Sequence, residues 1–349
     1  MPDFQRLFPP LLCLFLVGCA PGSGVQDMMD DYVAQVADAL ELKPELSDIQ
    51  PVQQIPRRRE RVLEVPDLDM GMLDFLSLYG CELQYVVGEK NSIMGRVMQP
   101  LNRLRYETRF VRAAEDCIAE IDRDGVREEL EEAIESKSET LPIVIWNATW
   151  GVEEVERLFT LSQGHYPLEH DENPVADLAS GVMRLNQTVA GLLAGNRDEP
   201  LDYVGEVHQR WQAEHRAGQL MNSARLLSTR IDDATALLVE RIENDPLCPE
   251  EGDARLQEAL RATYTNGYAD VVEPYLERIE KARAALIEPL ERLAAQQAET
   301  MPDAFRAWYR RILDSRNSAS LWGQLDRAVE SHTRRWQQLL DQCAVSPDS

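Results

Sequence analysis

Apolar residues recur in this chain at intervals of three and four over most of its length, and that rhythm leaves room for little except helices. The cleanest stretch is 219–245, where Leu220, Ala224, Leu227, Ile231, Ala234, Leu238 and Ile242 step by four and three. At about 3.6 residues per turn these side chains form one stripe, which must be buried against another element. The C-terminal stretch repeats the rhythm with Leu321, Leu325, Val329, His332, Trp336, Leu339 and Cys343. Met29, Tyr32, Val33, Val36 and Leu40 do the same over 25–42. Further helices are predicted at 71–88, at about 100–122, at 124–139 and over the apolar stretch Leu141–Trp150, which Gly151 ends. Others follow near 175–195, 200–217 and 253–297, where Pro274 and Pro289 kink or divide the last. No run of alternating strands and no repeat of fixed period is present. The expected fold is all-α, a multi-helix bundle of antiparallel amphipathic helices.

Prolines punctuate this pattern. Pro44, Pro51, Pro56 and Pro66 forbid a long helix through 44–69 and make it a linker or an extended strap. It holds Arg57-Arg58-Arg59-Glu60-Arg61, the one basic cluster of a chain with net charge −25. One reading is a solvated segment paired with the protein's own acids. The sharper one is a contact with anionic lipid or another envelope polymer. The loop Gly164–Pro174 is the natural boundary between helical subdomains 71–163 and 164–349, after a lipidated N-terminal helix and Pro-rich linker over 19–70.

The N-terminus implies an address. An apolar run from Phe8 to Val17, broken by Pro9-Pro10, is too short to span a bilayer, which takes roughly 20 apolar residues. It reads as the core of a signal peptide over 1–18. Leu16-Val17-Gly18-Cys19 resembles a bacterial lipobox, which makes Cys19 the lipidated first residue of the mature protein. The alternative is an ordinary secretory signal with a chance cysteine. Ala20 in place of Asp, by resemblance to Gram-negative lipoproteins, points to the outer membrane with the chain facing the periplasm. The strong negative charge excludes nucleic acid as a partner, because phosphate neutralisation needs basic residues. It leaves membrane attachment to the lipid.

Of six cysteines, Cys13 leaves with the signal and Cys19 takes lipid. Cys81, Cys117, Cys248 and Cys343 remain, an even number in an oxidising compartment. Cys81 and Cys117 lie equally far from Gln99-Pro100, so a helical hairpin turning there puts them level. That pairs 81–117 and leaves 248–343, giving two disulfides; a buried free thiol is the alternative for each.

The 100–122 helix spreads apolar side chains over roughly 220° of arc, so it packs on two sides. Arg103 and Glu107 fall inside that arc, four residues apart. Buried charges need partners, and the nearest in sequence are Glu89, Lys90 and Asn91 across the preceding turn. Two readings stay open: a structural network that fixes hairpin packing, or a polar pocket that receives a ligand.

Catalytic signatures are missing. His165 and His170 flank Pro167 at the wrong spacing for a zinc-protease helix. His208 and His215 are read as a solvated face, and His332 as a core histidine. No nucleophile motif, redox Cys pair or phosphate-binding glycine loop occurs. Neither catalytic residue, metal nor cofactor is assigned.

The run Leu73-Asp74-Phe75-Leu76, Gly80-Cys81-Glu82-Leu83, Glu89-Lys90-Asn91-Ser92, Gly95-Arg96-Val97-Met98 and Arg103-Leu104-Arg105-Tyr106-Glu107 resembles an uncharacterised family of proteobacterial lipoproteins, domain of unknown function 3080. The lipobox, Cys117, Leu247-Cys248-Pro249 and Cys343 fit it too. The resemblance implies an envelope location and a helical fold, and no activity. The expected role is a non-enzymatic binding or scaffold module with an envelope protein partner. The alternatives are an envelope enzyme acting on cell-wall polymer through carboxylates, or a carrier of an apolar ligand.

Overall fold

A computed structural model of the chain describes residues 23–66, 80–91, 98–168, 174–244 and 254–342. Among them no strand occurs. Helix α1 is Ser23–Ala39, α2 a single turn at Arg58–Arg61, α3 Glu82–Asn91, α4 Pro100–Ile118 and α5 Asp124–Thr149. A short α6, Glu154–Leu158, leads to α7, Ala176–Leu193, α8, Val204–Ala213, and α9, Arg216–Asn244. A continuous helical rod α10 covers 254–295, followed by α11, Asp303–Ile312, and α12, Leu321–Gln342.

The long stripes read from sequence meet each other. Helix α9 packs along α12 and α1, which buries Leu220, Leu227, Ile231 and Leu238 against Met29, Val33, Leu325 and Trp336. The main core draws on residues from Val25 to Leu339, on both sides of the 164–174 loop. A second apolar cluster sits apart, built by α3, α4 and the first half of α5 around Leu83, Val86, Phe110, Val111 and Leu130. The Cys81–Cys117 disulfide pins this hairpin, with 5.6 Å between the Cα atoms. Cys19, Cys248 and Cys343 lie outside the described residues, as do Met72, Phe75, Leu76 and His170.

Four expectations change. Helix α3 runs through Gly88 to Asn91, so Glu89, Lys90 and Asn91 occupy its last turn rather than the expected turn at 88–95. Leu141–Trp150 is the second half of α5 and not a separate segment, with Pro142 inside the helix. Pro274 and Pro289 do not divide α10. The rod winds as π-helix over Thr263–Val272 and Arg283–Ile287, just before each proline, and resumes α-geometry at Glu273 and Glu288. A proline lacks the N–H and crowds the carbonyl four residues back, and widening the preceding turns absorbs both. Helix α11 was not anticipated, although Phe305, Trp308, Tyr309 and Ile312 stand at helical spacing and are all buried.

His332 is fully buried between α1, α9 and α12. Its Nε2 faces Tyr32 Oη at 2.5 Å and accepts from Trp336 Nε1 at 3.0 Å. Its Nδ1 lies 2.8 Å from Thr235 Oγ1, which donates its own proton to the Ile231 carbonyl at 2.6 Å.

Candidate functional site

The segment 44–66 is a strap, extended apart from α2, and it is tied down at three points. Arg230 Nη1 donates to Ser47 O at 2.7 Å while Asp233 accepts from Ser47 N at 3.1 Å. Trp308 Nε1 donates to Gln53 O at 3.2 Å. The third and densest tie is at the C-terminal end of α5.

That end needs partners. The last carbonyls of a helix have no intrahelical donors, and the dipole makes them a negative pole. Two arginines of the basic cluster supply both donors and charge. Arg61, fully buried, donates to Trp150 O, to Val152 O at 3.3 Å and to Pro56 O at 2.8 Å. Arg58 Nε donates to Gly151 O at 3.1 Å. Burial lowers the Arg61 pKa, and Glu156, which accepts from its Nη2 at 2.9 Å, acts against that. Asn147 then reads the strap backbone with both ends of its amide, accepting from Leu63 N at 2.9 Å and donating to Leu63 O at 2.7 Å. Trp146 Nε1 donates to Arg61 O at 2.7 Å. Beneath lie Trp146, Trp150 and Phe305, with ring centres 4.9 and 5.0 Å apart across α5 and α11. Arg61 therefore caps α5 at Trp150, and Arg58 with Arg61 holds the two residues that follow.

A half-open cleft of about 970 Å³ lies beside this crossing. The first turn of α4 at Pro100–Arg103, the strap at Val62 and Val65, and α8 at Gly205 and His208 form its walls. Arg58 and Arg103 face it along with Glu153 and Glu154. The two glutamates are consecutive, so they share a wall and do not oppose each other. His208 was expected on a solvated face but is 7% exposed. Burial lowers its pKa, with Glu154 and the Ala148 carbonyl opposing. Among the described residues its Nε2 has no hydrogen-bond partner, which leaves the Ala148 contact to Nδ1. A neutral imidazole with Nδ1–H on a carbonyl presents Nε2 as an acceptor.

Arg103 and Glu107 do pair, and Glu107 is 2% exposed. Their third member is Lys137 on α5, whose Nζ donates to Glu107 Oε2 at 2.6 Å and is itself buried. Lys137 sits 4.7 Å from the ring centre of Phe110 and 5.3 Å from that of Tyr106. Burial lowers the Lys137 pKa, Glu107 raises it, and nearby Lys90 and Arg103 lower it further. Of the residues expected to complete the network, Lys90 lies 5.8 Å from the Tyr106 ring centre. Glu89 instead engages Arg109 at 3.0 Å, and Asn91 ends α3. Sequence spacing missed Lys137 because it comes from another helix, 30 residues on. Arg103 belongs to the network and also lines the cleft.

A sequence model of a family described as a protein of unknown function (DUF3080) matches residues 29–347. The chain belongs to that family. No curated protein matches it, and no solved structure does. The match runs from within α1 through α12, so the strap, the cleft and the buried network of this DUF3080 chain all lie inside the family region. Among the described residues no cluster of His, Cys, Asp and Glu is placed to hold a metal, and no helix is long and apolar enough to cross a membrane.

Proposed function

We propose that this DUF3080 protein is a non-enzymatic binding module of the bacterial envelope, lipidated at Cys19, anchored in the outer membrane and facing the periplasm. Its partner is an envelope protein, and a second disulfide joins Cys248 to Cys343. The observation that carries the binding reading is the cleft at the strap crossing. Charges of both signs line it, from Arg58 and Arg103 to Glu153 and Glu154. Such a lining suits a polar partner group. An apolar carrier is the poorer reading, since the cleft is open and mixed in polarity. An enzyme acting through opposed carboxylates is also poorer, since Glu153 and Glu154 share one wall.

Asn102 and Gln209 are exposed on the cleft rim. The variant Asn102→Trp/Gln209→Trp fills the cleft without touching the core. Crosslinking in intact envelopes should capture a partner with the wild type and lose it at least fivefold with this variant, at unchanged thermal stability. Undiminished capture would remove the cleft from the reading.

A further inference from the structure

On the other side of the strap lies a groove of about 660 Å³, sharing Arg58 and Glu153 with the cleft. Arg57, Arg58 and Arg59 line it from the strap, and Arg157 faces them from α6. Glu156 also lines it, but its Oε1 is taken by Arg61 Nη2 at 2.9 Å and by Arg58 N at 2.6 Å. The four arginines therefore have Glu153 as the one uncommitted carboxylate in the lining.

The chain has 61 acidic against 36 basic residues, and several exposed arginines reach a carboxylate. Arg109, Arg112, Arg210 and Arg334 each reach one at 3.1 Å or less. Among the described residues, no hydrogen bond or ion pair engages the guanidinium of Arg59 or Arg157. The cluster is also held in place. Arg58 Nε is fixed on Gly151 O, and Gly218 lets α9 press against the far wall, where an added Cβ would sit 1.9 Å from Thr160 O. Gln54, Thr160 and Gln212 add neutral hydrogen-bonding groups to the lining.

We propose that this groove is a binding site for a phosphoryl oxyanion, the group carried by a phospholipid headgroup or by a soluble phosphate ester. Guanidinium forks match phosphate oxygens in bidentate geometry, and several forks line this one groove. The groove names the ligand chemistry of the strap region. It rests on the reading of that region as a receiving surface, but uses the opposite wall from the cleft.

The test uses the full chain carrying Cys19→Ser, so that no acyl group contributes. Pyrophosphate titrated calorimetrically at low salt should bind saturably. The variant Arg59→Gln/Arg157→Gln should bind at least tenfold more weakly, and each single variant should show an intermediate loss. Arg334→Gln/Arg335→Gln, the same charge change on the outer face of α12, should leave binding within twofold. Sedimentation with phosphatidylglycerol vesicles against phosphatidylcholine vesicles separates the sources. Groove-dependent binding to the former assigns a lipid headgroup, and pyrophosphate binding without it assigns a soluble ester. No saturable binding of either probe, or an equal loss in the α12 control, overturns the proposal. Lost pyrophosphate binding is independent of partner capture at the cleft, which fails with Asn102→Trp/Gln209→Trp, so the two readings fail separately.

Discussion

At His332 the neighbours decide the charge. Thr235 Oγ1 has given its proton to Ile231 O, so it accepts from His332 Nδ1–H. Trp336 Nε1 can only donate, so His332 Nε2 carries a lone pair. The ring is neutral, and burial lowers its pKa from 6.5 to about 3. The unfolded chain takes up a proton at this site below about pH 6.5 while the native chain does not. Stability from this site is therefore whole above that pH and falls as pH drops toward 3, by up to about 1.4 kcal/mol per pH unit. In urea unfolding between pH 6 and 4, His332→Gln should flatten the slope of unfolding free energy by close to one proton, whatever its absolute stability. An unchanged slope would mean that the ring already titrates in the native state. At Glu107 the network now has both cations named. Glu107→Gln leaves Lys137 and Arg103 without their carboxylate and should cost about 3–5 kcal/mol by denaturant unfolding. Glu107→Leu/Lys137→Met removes the central pair together and should recover most of that loss, because burying the pair carried its own desolvation cost.

At the scale of elements, the hairpin of α3 and α4 buries most of its apolar residues apart from the main core. Its apolar residues form their own cluster with the first half of α5, and the Cys81–Cys117 link closes it over 36 residues. The chain-entropy account assigns such a loop roughly 4 kcal/mol. Cys81→Ala/Cys117→Ala should release amide protection over 82–91 in hydrogen exchange while α9 and α12 keep theirs. Uniform loss across the chain would show that the two clusters fold as one unit. Non-reducing peptide mapping should recover the 81–117 link, and the proposed 248–343 link beside it. The strap makes the opposite point about integration. Nearly devoid of helix, it is still held by side chains of α5, α9 and α11, so it belongs to the core assembly and not to a tether.

For the whole molecule, a net charge of −25 means that attachment to an anionic bilayer must come from the proposed acyl anchor, helped locally by the arginine groove. Cys19→Ser should shift the protein from the membrane fraction to the soluble periplasm, and a variant that stays membrane-bound would overturn the anchor. The sequence by itself determined the helical class, the long stripes of α1, α9 and α12, the buried His332, the 81–117 hairpin and the proline-rich strap. All of these rest on spacing along one segment, which periodicity and backbone sterics dictate locally. The tertiary structure alone decided that Lys137 completes the Arg103–Glu107 pair, that His208 is buried, that α10 widens to π-helix just before each proline, and that the basic cluster divides. Arg61 and Arg58 turn inward onto the carbonyls of Trp150, Gly151 and Val152 at the end of α5, and Arg59 lines the groove with Arg157. The physical reason is common to all four. Whether a charge, an imidazole or a bent helix is tolerated depends on groups supplied by other helices, and that complement is set by packing rather than by spacing.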